Sequence, residues 1–294
     1  MKLKFKLNLS LSEFWTKCKE RGSALLSFAP DYLAVLLVII MLFIGVLKAP
    51  ELHNKFLQSK VGSKVYYIRD QTGGGGGTGF AIKAPSGESY IMTNSHVCGV
   101  SHDGQTVLVE DSDDNSMRRR IIANDPNSDL CLIESLPGIT GLSVASHTPT
   151  IGDTLYVVGH PYLQPTHIAV GEMTGTQDIT VALGFISIVD PQTGEEKLIP
   201  HDDGGILEAN CHENKHRIIS QEMIVIFFTV KVKMCVESIE DAYTTAVVIY
   251  PGNSGSPTVN AWGQVEGVAF AGDGSTNWGS IVSLHDVKAF LKNF

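Results

Sequence analysis

The chain predicts an all-β body behind a single membrane-spanning helix, and three observations predict it. From Gly62 onward, short apolar and β-branched runs alternate with Gly, Asp, Asn, Pro and Ser, the pattern of antiparallel strands. A segment rich in Pro, Gly, Ser and Thr, Pro137–Gly152, divides these runs into two series, each able to form a barrel. Ahead of both, Tyr32–Leu47 is a run of sixteen residues without a charge.

In the first series the expected strands are Val65–Arg69, Phe80–Lys83, Tyr90–Thr93, Thr106–Glu110, Arg118–Ile122 and Leu130–Glu134. The second comprises Thr154–Gly159, His167–Thr174, Ile179–Ser187, Ile218–Val232, Ala242–Ile249, Ser256–Asn260, Val265–Ala271 and Gly279–Ser283. Leu284, Val287, Phe290 and Leu291 recur at helical spacing and predict a short C-terminal helix. Gly73–Gly77 invites a phosphate-loop reading, which fails because no Lys-Ser/Thr pair and no helical pattern follows.

Tyr32–Leu47 spans roughly 24 Å at about 1.5 Å per residue, short of a ~30 Å hydrocarbon core. Lys48 extends its reach by snorkelling, and bilayers thin around short helices. A cleaved signal peptide and a buried core helix are the alternatives. No small-residue cleavage site follows, and the thirty-residue lead is too long for a signal peptide. The basic flank (Lys2, Lys4, Lys6, Lys17, Lys19, Arg21) belongs in the cytoplasm, which puts the body outside. The expected organisation is a cytoplasmic tail (1–30), an anchor (31–48), a linker (49–61), a first barrel (62–140) and a second (141–294). Residues 48–294 carry 16 Lys and Arg against 28 Asp and Glu, which argues against nucleic-acid binding.

Three motifs carry chemistry. Thr93-Asn94-Ser95-His96 places an imidazole after a strand, and Ser128-Asp129-Leu130 places a carboxylate at the start of one. Pro251-Gly252-Asn253-Ser254-Gly255 places a hydroxyl on a glycine-flanked turn. A serine hydroxyl becomes nucleophilic only beside a base, and that base needs a carboxylate to fix its tautomer. The order His, Asp, Ser differs from the Ser, Asp, His order of the Gly-x-Ser-x-Gly hydrolases. Asp125 competes for the acid role, but it precedes Pro126 in turn chemistry, whereas Asp129 opens an apolar strand.

On these residues the chain resembles the trypsin-like serine proteases, and within them the HtrA/DegP-like branch. Further likeness lies in Gly77-Thr78-Gly79-Phe80, Asp125-Pro126-Asn127-Ser128-Asp129, Gly159-His160-Pro161 (a Gly-Asn-Pro turn in the branch) and Gly263-Gln264-Val265-Glu266-Gly267. The resemblance covers roughly residues 62–180 and 240–294. It implies two six-stranded antiparallel barrels and endopeptidase activity on polypeptides, with no cofactor. Ser254 would be the nucleophile, His96 the base and Asp129 its orienting acid. The N–H groups of Gly252 and Ser254 would form the oxyanion hole. Ile249 would floor the specificity pocket, with Tyr250, Val268, Ala269 and Phe270 at its rim or walls. Val248, six residues before the serine, is not acidic, so small or medium apolar side chains are expected at the cleaved bond. Asn253 stands where zymogen-activated relatives carry Asp, so no activating cleavage is expected. Ser256 replaces the commoner Gly. Nothing in the sequence after the final helix is expected to form the PDZ domain of many HtrA-like proteins.

Residues 185–240 exceed what the resemblance needs and predict an extended hairpin over the second barrel. Cys211-His212-x3-His216 has ligand-like spacing but lacks a tight second pair, so no metal is expected. Cys18 is expected to be cytoplasmic and unpaired. The other four make an even set in which pairing is permitted. Cys98 and Cys131, each two residues past a motif residue, either face each other as a bridge or are two small buried hydrophobes, the favoured alternative. A Cys211–Cys235 bridge flanking one apolar run is left open. A tethered pseudoprotease that binds peptides without cutting them, and a viral or phage maturation protease, are the alternative functions.

Overall fold

The computed structural model describes residues 48–69, 76–99, 104–113, 115–190, 193–198, 211, 217–225, 228–273 and 278–294. Tyr32–Leu47, Cys18, His201, His212 and His216 lie outside them. Among the described residues no helix is long and apolar enough to cross a membrane. Contacts divide the chain into Met1–Asn54 and Lys55–Phe294. In the first unit, residues 48–54 are helical. In the second, helical residues 55–60 seat Leu57 in the core.

The first six strands are β1 (Val65–Arg69), β2 (Gly76–Lys83), β3 (Ser89–Thr93), β4 (Thr106–Glu110), β5 (Ser116–Asp125) and β6 (Leu130–Glu134). They close a barrel in the order β1-β2-β3-β6-β5-β4, the β1–β4 pairing completing the ring. Alternate residues point to opposite faces of a strand. In β3, Met92 therefore joins one core cluster and Ile91 the other.

The remaining strands are β7 (Thr154–Gly159), β8 (His167–Val189), β9 (Glu196–Leu198), β10 (Arg217–Val225), β11 (Phe228–Thr245), β12 (Pro257–Val259), β13 (Val265–Asp273) and β14 (Trp278–Val282). Six of them, β7-β8-β11-β14-β13-β12, form a second ring, closed by the β8–β11 and β7–β12 pairings. The segment after β6 stitches the rings together. Leu142 exchanges backbone hydrogen bonds with Ala81 and Lys83, and Val265 does so with Ser143 and Ala145. The final helix, Leu284–Leu291, is capped by Ser283, whose hydroxyl accepts from the Asp286 N–H, and it buries Leu284, Val287 and Leu291.

The strand expectations need correction in the second series. His167–Thr174 and Ile179–Ser187 are one strand, β8, because it stays paired with β11 from Met173 to Val189, with bulges absorbing the irregularities. Ile218–Val232 is instead parts of two strands, β10 and β11. The Ala242–Ile249 run leaves the sheet after Thr245, where Val247 and Ile249 are buried without ladder pairing. The 185–240 insertion is thus a four-stranded arm, β9-β8-β11-β10, that continues two barrel strands outward. The cysteine alternatives resolve to two bridges. Cys98–Cys131 and Cys211–Cys235 are disulfides with Cα separations of 6.5 and 5.8 Å, within bridging range. Cys98 ends the short helix after β3 and meets Cys131 on β6, and Cys211 meets Cys235 on β11. The second ties the arm, and it removes the Cys211 thiolate from any metal set.

Candidate active site

His96 sits in the short helix Ser95–Cys98 that ends β3, and Asp129 immediately precedes β6, the neighbour of β3. Thr93 pairs with Cys131, so the two chain ends leave the sheet side by side. Asp129 is fully buried, at φ 49°, in the left-handed region that Asp tolerates better than most residues. Three contacts hold it there. Its Oδ1 accepts the His96 backbone N–H at 3.0 Å, its carbonyl accepts from Asn94 Nδ2 at 3.0 Å, and its Oδ2 lies 2.9 Å from His96 Nδ1. The Cys98–Cys131 bridge pins both segments two residues further on.

Burial lowers the His96 pKa, but the charge of Asp129 and its hydrogen bond outweigh this and carry it above the ordinary value. Asp125, the rival acid, spends its carboxylate on a turn, accepting from the Asn127 N–H and the Ser128 hydroxyl.

The Ser254 loop is held between the two barrels. Gly252 and Gly255 both have positive φ, 91° and 83°, which only Gly adopts freely. A Cβ at Gly252 would strike the His160 carbonyl, and one at Gly255 would strike Thr78 O and Thr93 Oγ1. Thr78 is the bridge from the first barrel. Its N–H donates to Ser254 O at 2.8 Å, and its hydroxyl donates to Gly252 O at 2.7 Å and accepts from the His160 N–H at 3.1 Å. Ser256 fits because Gly159 has no side chain, since a Cβ there would collide with Ser256 Oγ.

The five pocket candidates do not form one wall. Ile249 and Ala269 pack in one cluster, Val268 and Phe270 in another, as strand alternation requires. Ile249 lies against the backbones of Gly272 and Gly279. Tyr250 is half-exposed, its ring centroid 5.4 Å from that of Tyr162. Phe270 contributes its backbone carbonyl, which accepts the Ser254 hydroxyl at 3.1 Å. The sequence reading missed Thr78, Asn94 and the His160–Gln164 turn as parts of this site. The signals for the first and last were the Gly77-Thr78-Gly79 and Gly159-His160-Pro161 motifs, whose polar members it left without a role.

Two closed antiparallel barrels with a His–Asp pair on one and a glycine-flanked serine loop on the other define a trypsin-like serine endopeptidase. A trypsin-like peptidase domain matches residues 77–268, and the chain belongs to that family. In fold it is similar to the inactive form of the Rv3671c protease (21% identity, TM-score 0.53, covering 83% of this chain and 95% of that one). The active form from M. tuberculosis gives 19% identity and a TM-score of 0.55, covering 83% and 86%. A serine endoprotease of Yersinia pestis gives 15% and 0.52, covering 82% of this chain and 65% of that one. No curated protein sequence matches the chain.

Proposed function

We propose that the chain hydrolyses peptide bonds through an acyl-enzyme on Ser254. The observation that carries this is the His96–Asp129 pair at 2.9 Å, its carboxylate buried and its imidazole still part-exposed. That geometry leaves Nδ1–H donating to Asp129 and Nε2 free to act as base. The Ser254 hydroxyl would exchange its Phe270 partner for Nε2 and attack the substrate carbonyl, and His96 would return the proton to the leaving amine. Catalytic hydrogen bonds in unliganded enzymes are often unmade until substrate arrives. The Gly252 and Ser254 N–H groups would bind the oxyanion.

The substrate is a polypeptide with a small or medium apolar residue before the cleaved bond, because the buried Ile249 and non-acidic Val248 give a Lys or Arg no partner. The enzyme would be anchored through residues 32–47, its body outside the cytoplasm. Two experiments test these readings. A fluorophosphonate probe should label the wild type at Ser254; an intact, unlabelled serine would favour a peptide-binding pseudoprotease. Protease added outside intact spheroplasts should digest the body and spare the first thirty residues, and a protected body would reverse the topology.

A further inference from the structure

The carbonyls of the Ser254 loop are nearly all occupied. Pro251 O accepts from the Tyr162 N–H at 2.6 Å, Gly252 O from Thr78 Oγ1 at 2.7 Å, Asn253 O from the Ser256 N–H at 2.9 Å and Ser254 O from the Thr78 N–H at 2.8 Å. In a trans peptide the C=O and N–H point in opposite directions. A pinned Pro251 carbonyl therefore aims the Gly252 N–H, and a pinned Asn253 carbonyl aims that of Ser254. Among the described residues neither N–H has an intramolecular acceptor.

The Pro251 contact has a conformational requirement. Tyr162 and Leu163 lie at φ 54° and 56°, where non-glycine residues are uncommon. The turn is kept by the Leu163 N–H to His160 O and the Gln164 N–H to Pro161 O, both 3.0 Å. Its two ends are also tied. His160 stacks on Tyr67 at 3.7 Å, and Gln164 O accepts from Tyr67 Oη at 2.9 Å and lies 3.0 Å from His160 Nδ1.

We propose that the Tyr162 N–H presets the oxyanion-binding amide of Gly252, and that the Thr78 hydroxyl, by fixing the peptide between Gly252 and Asn253, is a second positioning group that holds the Gly252 and Ser254 amides in place on either side of it. Thr78 reaches the loop from the first barrel, and the His160–Gln164 turn reaches it from the second. The inference rests on the acyl-enzyme reading and adds the groups that hold its oxyanion site open.

The test compares Thr78→Val with Thr78→Ser, and replacement of Tyr162 by its α-hydroxy acid (a backbone ester in place of the amide) with Tyr162→Gly. Three quantities are measured: kcat/KM on a peptide, affinity for a peptide boronate ending in a valine analogue, and affinity for the cleaved product peptide. The boronate adduct mimics the tetrahedral state, whereas the product reports ground-state binding. Thr78→Val should lower kcat/KM and boronate affinity by the same factor, on the order of 100-fold, as loss of an oxyanion donor does. Product affinity should hold, and Thr78→Ser should restore both losses. The α-hydroxy acid analogue, which lacks the N–H but keeps the side chain and the positive φ, should show the same loss, while Tyr162→Gly keeps the N–H and should not. Wild-type values in Thr78→Val, equal losses in the Ser and Val variants, or a loss confined to product binding would overturn the inference. Should Thr78→Val fail to fold, the exposed Tyr162 pair decides, and equal behaviour of the ester and Gly variants overturns it. A wild type that neither cleaves peptide nor labels with fluorophosphonate fails earlier, on the acyl-enzyme reading itself.

Discussion

The Ser254 hydroxyl donates to the Phe270 carbonyl at 3.1 Å, while His96 is already locked to Asp129. On the acyl-enzyme proposal, base and acid are thus paired while the nucleophile is held elsewhere, and Ser254 would have to give up the Phe270 carbonyl to engage His96. The contact is a single neutral hydrogen bond, worth about 1 kcal/mol net, so substrate binding has little to overcome. Ser254→Ala should abolish cleavage of a casein-type substrate and shift stability by no more than about 1 kcal/mol in denaturant melts. Wild-type turnover by this variant would reject the nucleophile assignment.

Activity needs neutral His96, whose pKa is raised above the ordinary histidine value by Asp129 against the opposing effect of burial. kcat/KM should therefore fall as pH drops through that raised pKa and level off above it. Asp129→Asn removes the carboxylate and leaves burial, so any residual activity should persist to lower pH. Its rate should fall on the order of 10⁴-fold. The same shift links to stability, since a raised folded pKa stabilises at low pH and that contribution fades as pH rises through it. A wild-type pH–rate midpoint below the ordinary histidine value of about 6.5 would contradict the pairing.

Glu266 on β13 is buried, and among the described residues its Oε2 has no hydrogen-bond partner. Desolvation pushes its pKa up to about 7, Asp153 adding to the rise against an Asn260 hydrogen bond. The folded state then holds a proton that the unfolded state releases from about pH 4.5, so stability falls as pH climbs towards 7. Glu266→Gln should remove roughly 2–3 kcal/mol of pH-dependent destabilisation between pH 5 and 8. Parallel stability curves for the two proteins across that range would show the carboxyl to be solvated.

The two disulfides should separate in their effects. Cys98–Cys131 spans a sequence separation of 33, its loop containing Asp129 and beginning two residues after His96, and removing it by paired Ala substitution should cost about 3–4 kcal/mol and lower kcat. Removing Cys211–Cys235 should loosen the arm, seen as faster amide exchange in β10 and β11, and leave kcat on a short peptide unchanged. A loss of kcat in the second variant would make the arm part of the active site.

Cleavage profiling on a mixed peptide library should show small or branched apolar residues before the cut bond, with Lys and Arg disfavoured. The apolar side chain gains about 25 cal/mol per Å² buried, and a cation there would lack a partner. A profile dominated by Arg or Lys would assign a carboxylate from elsewhere, with the arm the first place to look.

Local pattern determined a good deal of this protein by itself. Val65–Arg69, Thr106–Glu110, Leu130–Glu134 and Thr154–Gly159 are strands with the expected bounds, because alternation and flanking turn residues are local signals. The choice of Asp129 over Asp125 was equally legible, since Pro126 and Ser128 announce a turn that consumes the first carboxylate. What lay beyond local pattern was pairing across distance. The β8–β11 ladder overrides the breaks at Gly175 and Asp178, so two expected strands became one and an insertion became an arm. The disulfides needed the same information, since spacing cannot say which sulfurs meet. Tertiary structure alone decided the role of Thr78, whose single hydroxyl joins residues 82 and 174 positions away. A hydrogen bond has no sequence signature when its partners are brought together only by the docking of two separately closed barrels.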